Sequence, residues 1–208
     1  RIGDFHGVSY MSFIIPGLIM MAIITNSYSN VASSFYGSKF TGNIQSLISS
    51  PASTPTILLG YVSGGVARGV LIAIIISIAA NFFTPIDVHS WFAMIFTVIL
   101  TSAIFSLAGL INAVYANSFD DISIIPTFVL TPLTYLGGVF YAINMLPHTW
   151  RIVSRFDIIV YMVGGFRYSL LGFSSVNILV TYAVLIVAFL LLFSFAMYAL
   201  GRGSKLKS

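Results

Sequence analysis

The sequence contains very little charge and no cysteine. Only 7% of its 208 residues are charged, and all five acidic residues are Asp. A soluble domain carries about a quarter charged residues, so this chain could not cover itself with a surface that water wets. Zero cysteines exclude disulfides, thiolate catalysis and cysteine-based metal sites.

Catalytic and nucleotide-binding motifs are also missing. The chain has no G-x-x-x-x-G-K-[ST] loop, no G-x-S-x-G elbow and no H-E-x-x-H helix. His6, His89 and His148 lie on separate segments without i, i+4 spacing, which argues against a metal site. The net charge of +4 comes from few, scattered basic residues, a pattern that does not indicate nucleic-acid binding. We therefore predict no catalytic, cofactor-binding or metal-binding residue.

Long apolar runs dominate what is present. Hydrophobic residues make up 58% of the chain, and a helix that crosses a hydrocarbon core of ~30 Å needs about 20 apolar residues. None of the runs alternates with a period of two, as the strands of a membrane β-barrel would. We predict one all-α domain, a polytopic transmembrane helical bundle with five spans: Val8–Asn30, Ile57–Phe83, Trp91–Tyr115, Ile122–Tyr141 and Ile178–Leu200.

The connections between these spans differ in character. Residues 31–56 are polar and small, whereas residues 142–177 are long and half apolar. A sixth span over residues 158–173 would be too short and would carry Arg167. The pair Asp120-Asp121 lies in a short turn, where we predict that it caps the following helix.

The distribution of Lys and Arg predicts the orientation. Positive charge is retained on the cytoplasmic side, so the basic tail with Arg202, Lys205 and Lys207 is placed in the cytoplasm. Counting back over five spans puts the connection that contains Lys39 in the cytoplasm and residues 142–177 outside. Three arginines in that outer connection nearly cancel the charge bias.

Several residues inside the spans are unusual. Gly60 and Gly64, then Gly65 and Gly69, form two small-xxx-small patterns, which either pack helices closely or reflect the general glycine content of membrane helices. Arg68 lies in the same apolar run and needs a partner, a water-filled cavity or a route by which it snorkels to the interface. The residues predicted to bend spans are the prolines, which remove backbone donors: Pro16, Pro126 and Pro132.

The connection after the first span contains a short amphipathic segment. Ile44, Leu47 and Ile48 follow i, i+3, i+4 spacing, which predicts one or two turns of helix with an apolar face. Pro51 and Pro55 end it. Such a helix either lies on the membrane or docks in a groove of a partner protein.

The order of these features resembles the ABC-2-type transport permeases, the membrane subunits of bacterial ATP-driven exporters. Four stretches carry the resemblance, from an opening Tyr…Pro-Gly to an outer Tyr…Arg pattern: Tyr10-Met-Ser-Phe-Ile-Ile-Pro-Gly17, Gly42–Pro51 continued by Ile57-Leu-Leu-Gly60, Leu136-Gly-Gly-Val-Phe140 with Leu146-Pro147, and Asp157–Arg167. In the last stretch Asp157 and Ile158 replace a family Asn-Pro, and Gly164 replaces an acidic residue.

The resemblance implies a subunit with six spans, so the first span and an amphipathic amino-terminal helix would precede this chain. It implies a homodimer in the lipid of the bacterial inner membrane, driven by a separate ABC ATPase subunit that binds ATP and Mg²⁺. The implied ATPase-coupling segment contains Ile44, Gln45, Leu47, Ile48, Ser50 and Pro51. The implied external re-entrant segment contains Gly137, Gly138, Leu146, Pro147, Tyr161 and Arg167.

Two other functions remain open from the residues alone. An ion-coupled secondary transporter usually places carboxylates or histidines inside its spans, and the predicted spans contain none away from their edges. A membrane scaffold needs no functional side chain and is not excluded by the sequence. An uncharged pathway lining would suit lipid-linked or amphipathic cargo.

Overall fold

The structure, a computed structural model, describes residues 10–44, 46, 52–85, 87–141, 147–174 and 176–201. Within these ranges the chain forms helices and no strand, so the prediction of an all-α polytopic membrane bundle is confirmed. Four helices are long and apolar enough to cross a membrane. They are α1 (Tyr10–Phe40), α2 (Thr54–Asn81), α3 (Trp91–Tyr115) and the last helix, α8 (Ile178–Gly201).

The predicted span at Ile122–Tyr141 is built from three short pieces rather than one helix. Helix α4 (Phe119–Ile125) continues into a π-helical turn (Pro126–Leu130) and then into α5 (Thr131–Leu136). The backbone stays helical at both junctions, and 18 residues at ~1.5 Å each would extend about 27 Å. The cause of the change is proline, because Pro126 and Pro132 have no backbone N–H to donate.

The register change is visible in the hydrogen bonds at Pro126. The backbone N–H of Thr131 donates to the carbonyl of Pro126, five residues earlier, and the Thr131 hydroxyl donates to the same oxygen at 2.9 Å. Pro16, in contrast, lies inside α1 without a break in the helix. Bends of the spans at Pro16, Pro126 and Pro132 stay predictions.

Helix α1 extends ten residues beyond its predicted end at Asn30, so the prediction of a polar loop from residue 31 is wrong for residues 31–40. Two properties of this stretch favour helix. Its apolar side chains recur on one face and are buried, as Val31, Ala32 and Phe35 show. Its serine hydroxyls donate to carbonyls four residues earlier, as Ser34 does to Asn30 at 2.8 Å, so these polar groups are satisfied within the helix.

Helix α3 lies at the centre and packs against α1, α2, α7 and α8. Small residues permit this close packing: a Cβ on Gly109 would overlap the backbone of Tyr28 in α1, and Gly65 and Gly69 of α2 lie against Ser106 and Ser102. The predicted packing face on α2 therefore exists for Gly65 and Gly69. Gly60 has open space around it.

The outer connection contains two helices, α6 (His148–Ser154) and α7 (Ile158–Leu171). Helix α7 has 14 residues, which is about 21 Å and too short to cross the bilayer. Most of it is buried, and it packs against α1, α3 and α8. The outer connection is thus a packed part of the bundle.

Candidate functional site

The first candidate site lies where the amphipathic connection begins, after α1. Gly42 ends the helix with a positive φ of 76°, a conformation that glycine adopts without strain, and its N–H donates to the Lys39 carbonyl at 3.1 Å. Asn43, Ile44 and Ser46 are again helical. Ile44 is 1% exposed, so the apolar face of this segment begins inside the bundle.

The other residues of the predicted coupling segment are Gln45, Leu47, Ile48, Ser50 and Pro51. They lie outside the described residues. The predicted coupling segment falls in the sequence between Gly42, after α1, and Thr54, at the start of α2.

Lys39, near the end of α1, donates hydrogen bonds to the end of α3. Its Nζ donates to the carbonyl oxygens of Val114 at 3.3 Å and Ala116 at 2.9 Å. The last carbonyls of a helix lack partners within the helix and carry partial negative charge, so the ammonium group satisfies both needs. Sequence analysis used Lys39 only for orientation and missed this contact.

Aromatic and hydroxyl contacts join two further helices to the same end of α1. The Tyr61 hydroxyl of α2 donates to Ser38 Oγ at 3.0 Å, and the Tyr61 ring lies 5.1 Å from that of Phe35. Phe119, the first residue of α4, packs against the rings of Tyr36 and Phe40. Four helix ends therefore meet at the base of the coupling segment.

The turn between α3 and α4 is closed by a capping box, as the sequence predicts. Asp121 Oδ2 accepts from the backbone N–H groups of Asn117 at 2.8 Å and Ser118 at 3.1 Å, and Ser118 Oγ accepts from the Asp121 N–H. These hydrogen bonds lower the pKa of Asp121. This capping role explains the carboxylate of Asp121.

The second candidate site is a cluster at the opposite end of the bundle, around Arg167 of α7. Arg167 is 3% exposed. Its Nη2 donates to the Gly138 carbonyl at 3.0 Å, and its Cζ lies 3.9 Å from the centre of the Phe13 ring in α1. Burial lowers the pKa of Arg167 to about 10, so the guanidinium remains charged at neutral pH.

The N-terminal part of α1 also contacts the loop that follows α5. The Tyr10 hydroxyl donates to the Phe140 carbonyl at 3.2 Å. A Cβ on Gly17 would lie 2.6 Å from the Val139 carbonyl oxygen, so only glycine fits there without displacement. Gly138 has a positive φ of 75°. The structure thus brings together Tyr10, Gly17, Gly138 and Arg167 from three motifs that are far apart in the sequence.

The remaining predicted residues of this segment make other contacts. Gly137 ends α5 and packs against Ile159, Pro147 precedes α6, and Leu146 lies outside the described residues. The Tyr161 hydroxyl donates to the Arg155 carbonyl at 2.9 Å, closing the turn between α6 and α7. Sequence analysis missed Phe13, although this aromatic lies within the Tyr10–Gly17 motif.

Asp157 stands at the start of α7 and is 7% exposed. Its Oδ1 accepts from the Ile159 N–H at 2.9 Å, a typical N-cap contact. Burial raises the pKa of Asp157 to about 6.

Among the described residues, no three His, Cys, Asp or Glu side chains lie close enough together to hold a metal ion. His89 has a packing role: its ring lies 5.6 Å from that of Tyr168 and packs directly against Gly172. His6 lies outside the described residues.

Comparisons with known proteins agree with these features. A family model described as ABC-2 type transporter matches residues 3–171. The chain is 52% identical, over all 208 residues, to the inner membrane transport permease YadH of Escherichia coli (strain K12), of which it covers 81%. It is 22% identical to nodulation protein J of Rhizobium meliloti (strain 1021), over 85% of this chain and 68% of that protein. No solved structure matches significantly.

Proposed function

The chain belongs to the ABC-2 type transporter family as a multi-pass permease of the inner membrane, and from this premise we propose that it forms the translocation path of an ATP-driven exporter. Two copies would enclose the path. The energy would come from a separate ABC ATPase that binds residues 44–51 from the cytoplasm, with ATP and Mg²⁺ held by that partner.

The observation that carries the proposal is the anchoring of the coupling segment. Ser38, Lys39 and Phe40, at the end of α1 just before the segment, contact α2, α3 and α4. A force that an ATPase applies at residues 44–51 would therefore reach four helices at once, not only α1. A segment that merely rests on the membrane surface would not need this arrangement.

The outer cluster supports the same mechanism. Arg167, Phe13 and the Gly138 carbonyl join α7, α1 and the loop after α5, so a displacement of α1 would move the outer re-entrant segment with it. Since α1 carries the coupling segment at its other end, this helix connects the two candidate sites over 31 residues. We infer that α1 transmits the ATPase movement to the outer end of the path.

The test of the partner uses one substitution and a matched control. Leu47→Asp places a charge on the predicted apolar face of the segment, and Ser46→Asp places the same charge at a position that is exposed. The full-length permease is purified by a tag on the permease from cells that also express candidate ABC ATPase subunits, and the co-purifying ATPase is measured. We expect Leu47→Asp to lose the ATPase and Ser46→Asp to retain it.

If Leu47→Asp leaves the complex intact, the docking site is wrong. If neither the unmodified protein nor the control retains an ATPase, and a proton gradient drives transport by the permease alone in liposomes, the protein is an ion-coupled transporter instead. Stable complexes with no transport at all would indicate a scaffold.

The orientation has its own test, because the chain contains no cysteine. Phe40 is 72% exposed at the end of α1 and Phe156 is 87% exposed at the opposite end of the bundle. In intact cells whose outer membrane is permeabilised, an impermeant thiol reagent should label Phe156→Cys and not Phe40→Cys. The reverse pattern would place the coupling segment outside and exclude an ATPase partner there.

A further inference from the structure

Arg68 is a charged residue at the middle depth of the helical bundle. The neighbouring residue, Gly69, packs against Ser102 of α3, and the middle of the 25-residue helix α3 is Ala103. Arg68 therefore lies about halfway across the membrane. The Arg68 side chain is exposed on the surface of the bundle, and none of the hydrogen bonds or ion pairs within the described ranges involves it.

Snorkelling does not bring this charge to water. Side chains on a helix lean toward its N-terminus, which for α2 is the predicted cytoplasmic end, and an extended arginine reaches about 7 Å from its Cα. Half of the hydrocarbon core is about 15 Å. The guanidinium would end about 8 Å short of the boundary, a depth at which an unpaired charge facing lipid is costly.

The surface beside Arg68 is polar as well. Gly64, one turn earlier on α2, faces Asn30 of α1, whose Oδ1 would lie 3.9 Å from a Cβ there. The exposed face of α1 at this level carries hydroxyl and amide side chains: Thr25, Asn26, Ser29, Asn30, Ser33 and Ser34. Hydroxyl and amide groups bonded to their own helix, such as those of Ser33 and Asn26, tolerate lipid, but a charged arginine next to this polar face does not.

Among the residues that the structure describes, a second copy of the chain offers no carboxylate that could pair with Arg68. The carboxylates of the described residues lie in connections or at helix ends: Asp87, Asp120, Asp121 and Asp157. None of them reaches the middle of the membrane. Two Arg68 side chains brought together across a two-fold axis would repel each other.

We propose that Arg68 and the polar face of α1 line a water-accessible part of the transport path, where Arg68 binds an anionic group of the cargo, such as a carboxylate, phosphate or sulfate. This proposal rests on the transport function proposed above. It assigns a chemical class to the cargo: an anion, which a single fixed positive charge binds among apolar helices. The apolar remainder of the bundle suits a cargo whose anionic group is attached to an apolar body.

The test measures local charge with a thiol placed next to Arg68. Asn30→Cys in the full-length protein is treated, in inside-out membrane vesicles, with two impermeant methanethiosulfonate reagents of opposite charge. A unit charge about 7 Å away in water changes the local concentration of a monovalent ion about threefold, and the ratio of the two reagents about sevenfold. We expect both reagents to react, with the anionic reagent favoured, and the preference to fall about sevenfold in Arg68→Gln.

Leu190→Cys is the control on another helix, because Leu190 lies near the middle of α8 and is exposed; it should remain unlabelled. Arg68→Lys should retain most of the charge preference. Failure of Asn30→Cys to react, or equal reagent ratios with and without Arg68, would overturn the proposal, since another protein segment would then cover this face.

The ligand class is tested with decyl phosphate as the probe and decyl maltoside as its uncharged counterpart. Decyl phosphate should slow labelling of Asn30→Cys severalfold, and the effect should vanish in Arg68→Gln, while decyl maltoside has little effect. If anionic phospholipid in reconstituted vesicles abolishes the charge preference by itself, the anion is a membrane lipid and the cargo assignment fails. Labelling needs no ATP, so this result can be interpreted even if no ATPase partner binds the protein.

Discussion

Lys39 donates a hydrogen bond from Nζ to the backbone carbonyl of Ala116 at 2.9 Å, across 77 residues of sequence. The contact joins the C-terminal end of α1, just before the proposed coupling segment, to the end of the central helix α3. An ammonium group at a helix C-terminus is favourable because it satisfies unpaired carbonyls and complements the helix dipole. Lys39 thus helps to hold the end of α1 next to the segment on which the proposed ATPase partner would act.

Lys39→Met should destabilise the protein by about 1–2 kcal/mol, the usual value of a charged hydrogen bond at a partly buried helix end. Thermal unfolding of the purified full-length protein in dodecyl maltoside micelles measures this. Lys39→Arg keeps the charge and should lose less. Equal stability of Lys39→Met and the unmodified protein would mean that the contact does not hold α3.

The Arg167–Phe13 contact should be measurable as a coupling energy. A cation over an aromatic face contributes about 0.5–2 kcal/mol, and a double-mutant cycle isolates that term. Phe13→Leu should therefore cost less stability in an Arg167→Met background than in the unmodified protein, by about that amount. Additive costs of the two substitutions would show that the ring and the guanidinium are neighbours without a stabilising interaction.

Much of the fold follows from the sequence because apolar length is decisive in a membrane. The runs at Trp91–Tyr115 and Ile178–Leu200 predict α3 without error and α8 to within one residue. The end of α1 was missed because its last ten residues are polar enough to resemble a loop. Their helical conformation depends on tertiary burial of Val31, Ala32 and Phe35 and on serine contacts, which hydropathy does not register.

The outer cluster was predictable only in part. The motifs that carry the family resemblance named Tyr10, Gly17, Gly138 and Arg167 as residues of interest, but nothing in their spacing showed that they meet. Their contacts depend on how α7 packs between α1, α3 and α8. Local sequence patterns contain no information about such a three-helix arrangement, and for the same reason Phe13 and Lys39 were not recognised as partners.

Asp157 should make stability depend on pH. Burial raises its pKa to about 6 in the folded protein, against about 3.9 for an unfolded Asp, so folding disfavours the ionised form. Stability should be greatest below about pH 4 as far as this group is concerned, and fall by up to about 2 kcal/mol as the pH rises to 6. The rest is lost between about pH 6 and pH 7, and above that range the contribution is constant.

The control for this pH dependence is Asp157→Asn, whose side-chain oxygen can still accept from the Ile159 N–H. Thermal unfolding measured from pH 4 to pH 7 should lose its downward slope in the variant. Asp121 does not interfere, since its pKa is lowered and its contribution is lost only at more acidic pH. A slope that persists in Asp157→Asn would assign the titration to another group.

Two glycines of α1 should respond oppositely to the same substitution. Gly17→Ala places a methyl group 2.6 Å from the Val139 carbonyl oxygen, and because this neighbour is backbone, relief requires movement of the loop after α5. We expect a loss of about 1–3 kcal/mol, the range for overpacking. Gly37→Ala meets nothing within 4 Å and should stabilise the helix by about 0.5–1 kcal/mol through helix propensity. Because both changes add one methyl group to the same helix, their difference in thermal unfolding reports the contact with Val139. If Gly17→Ala is as stable as Gly37→Ala, then α1 does not hold the outer loop, and α1 could not transmit a movement of the coupling segment to the outer end through this contact.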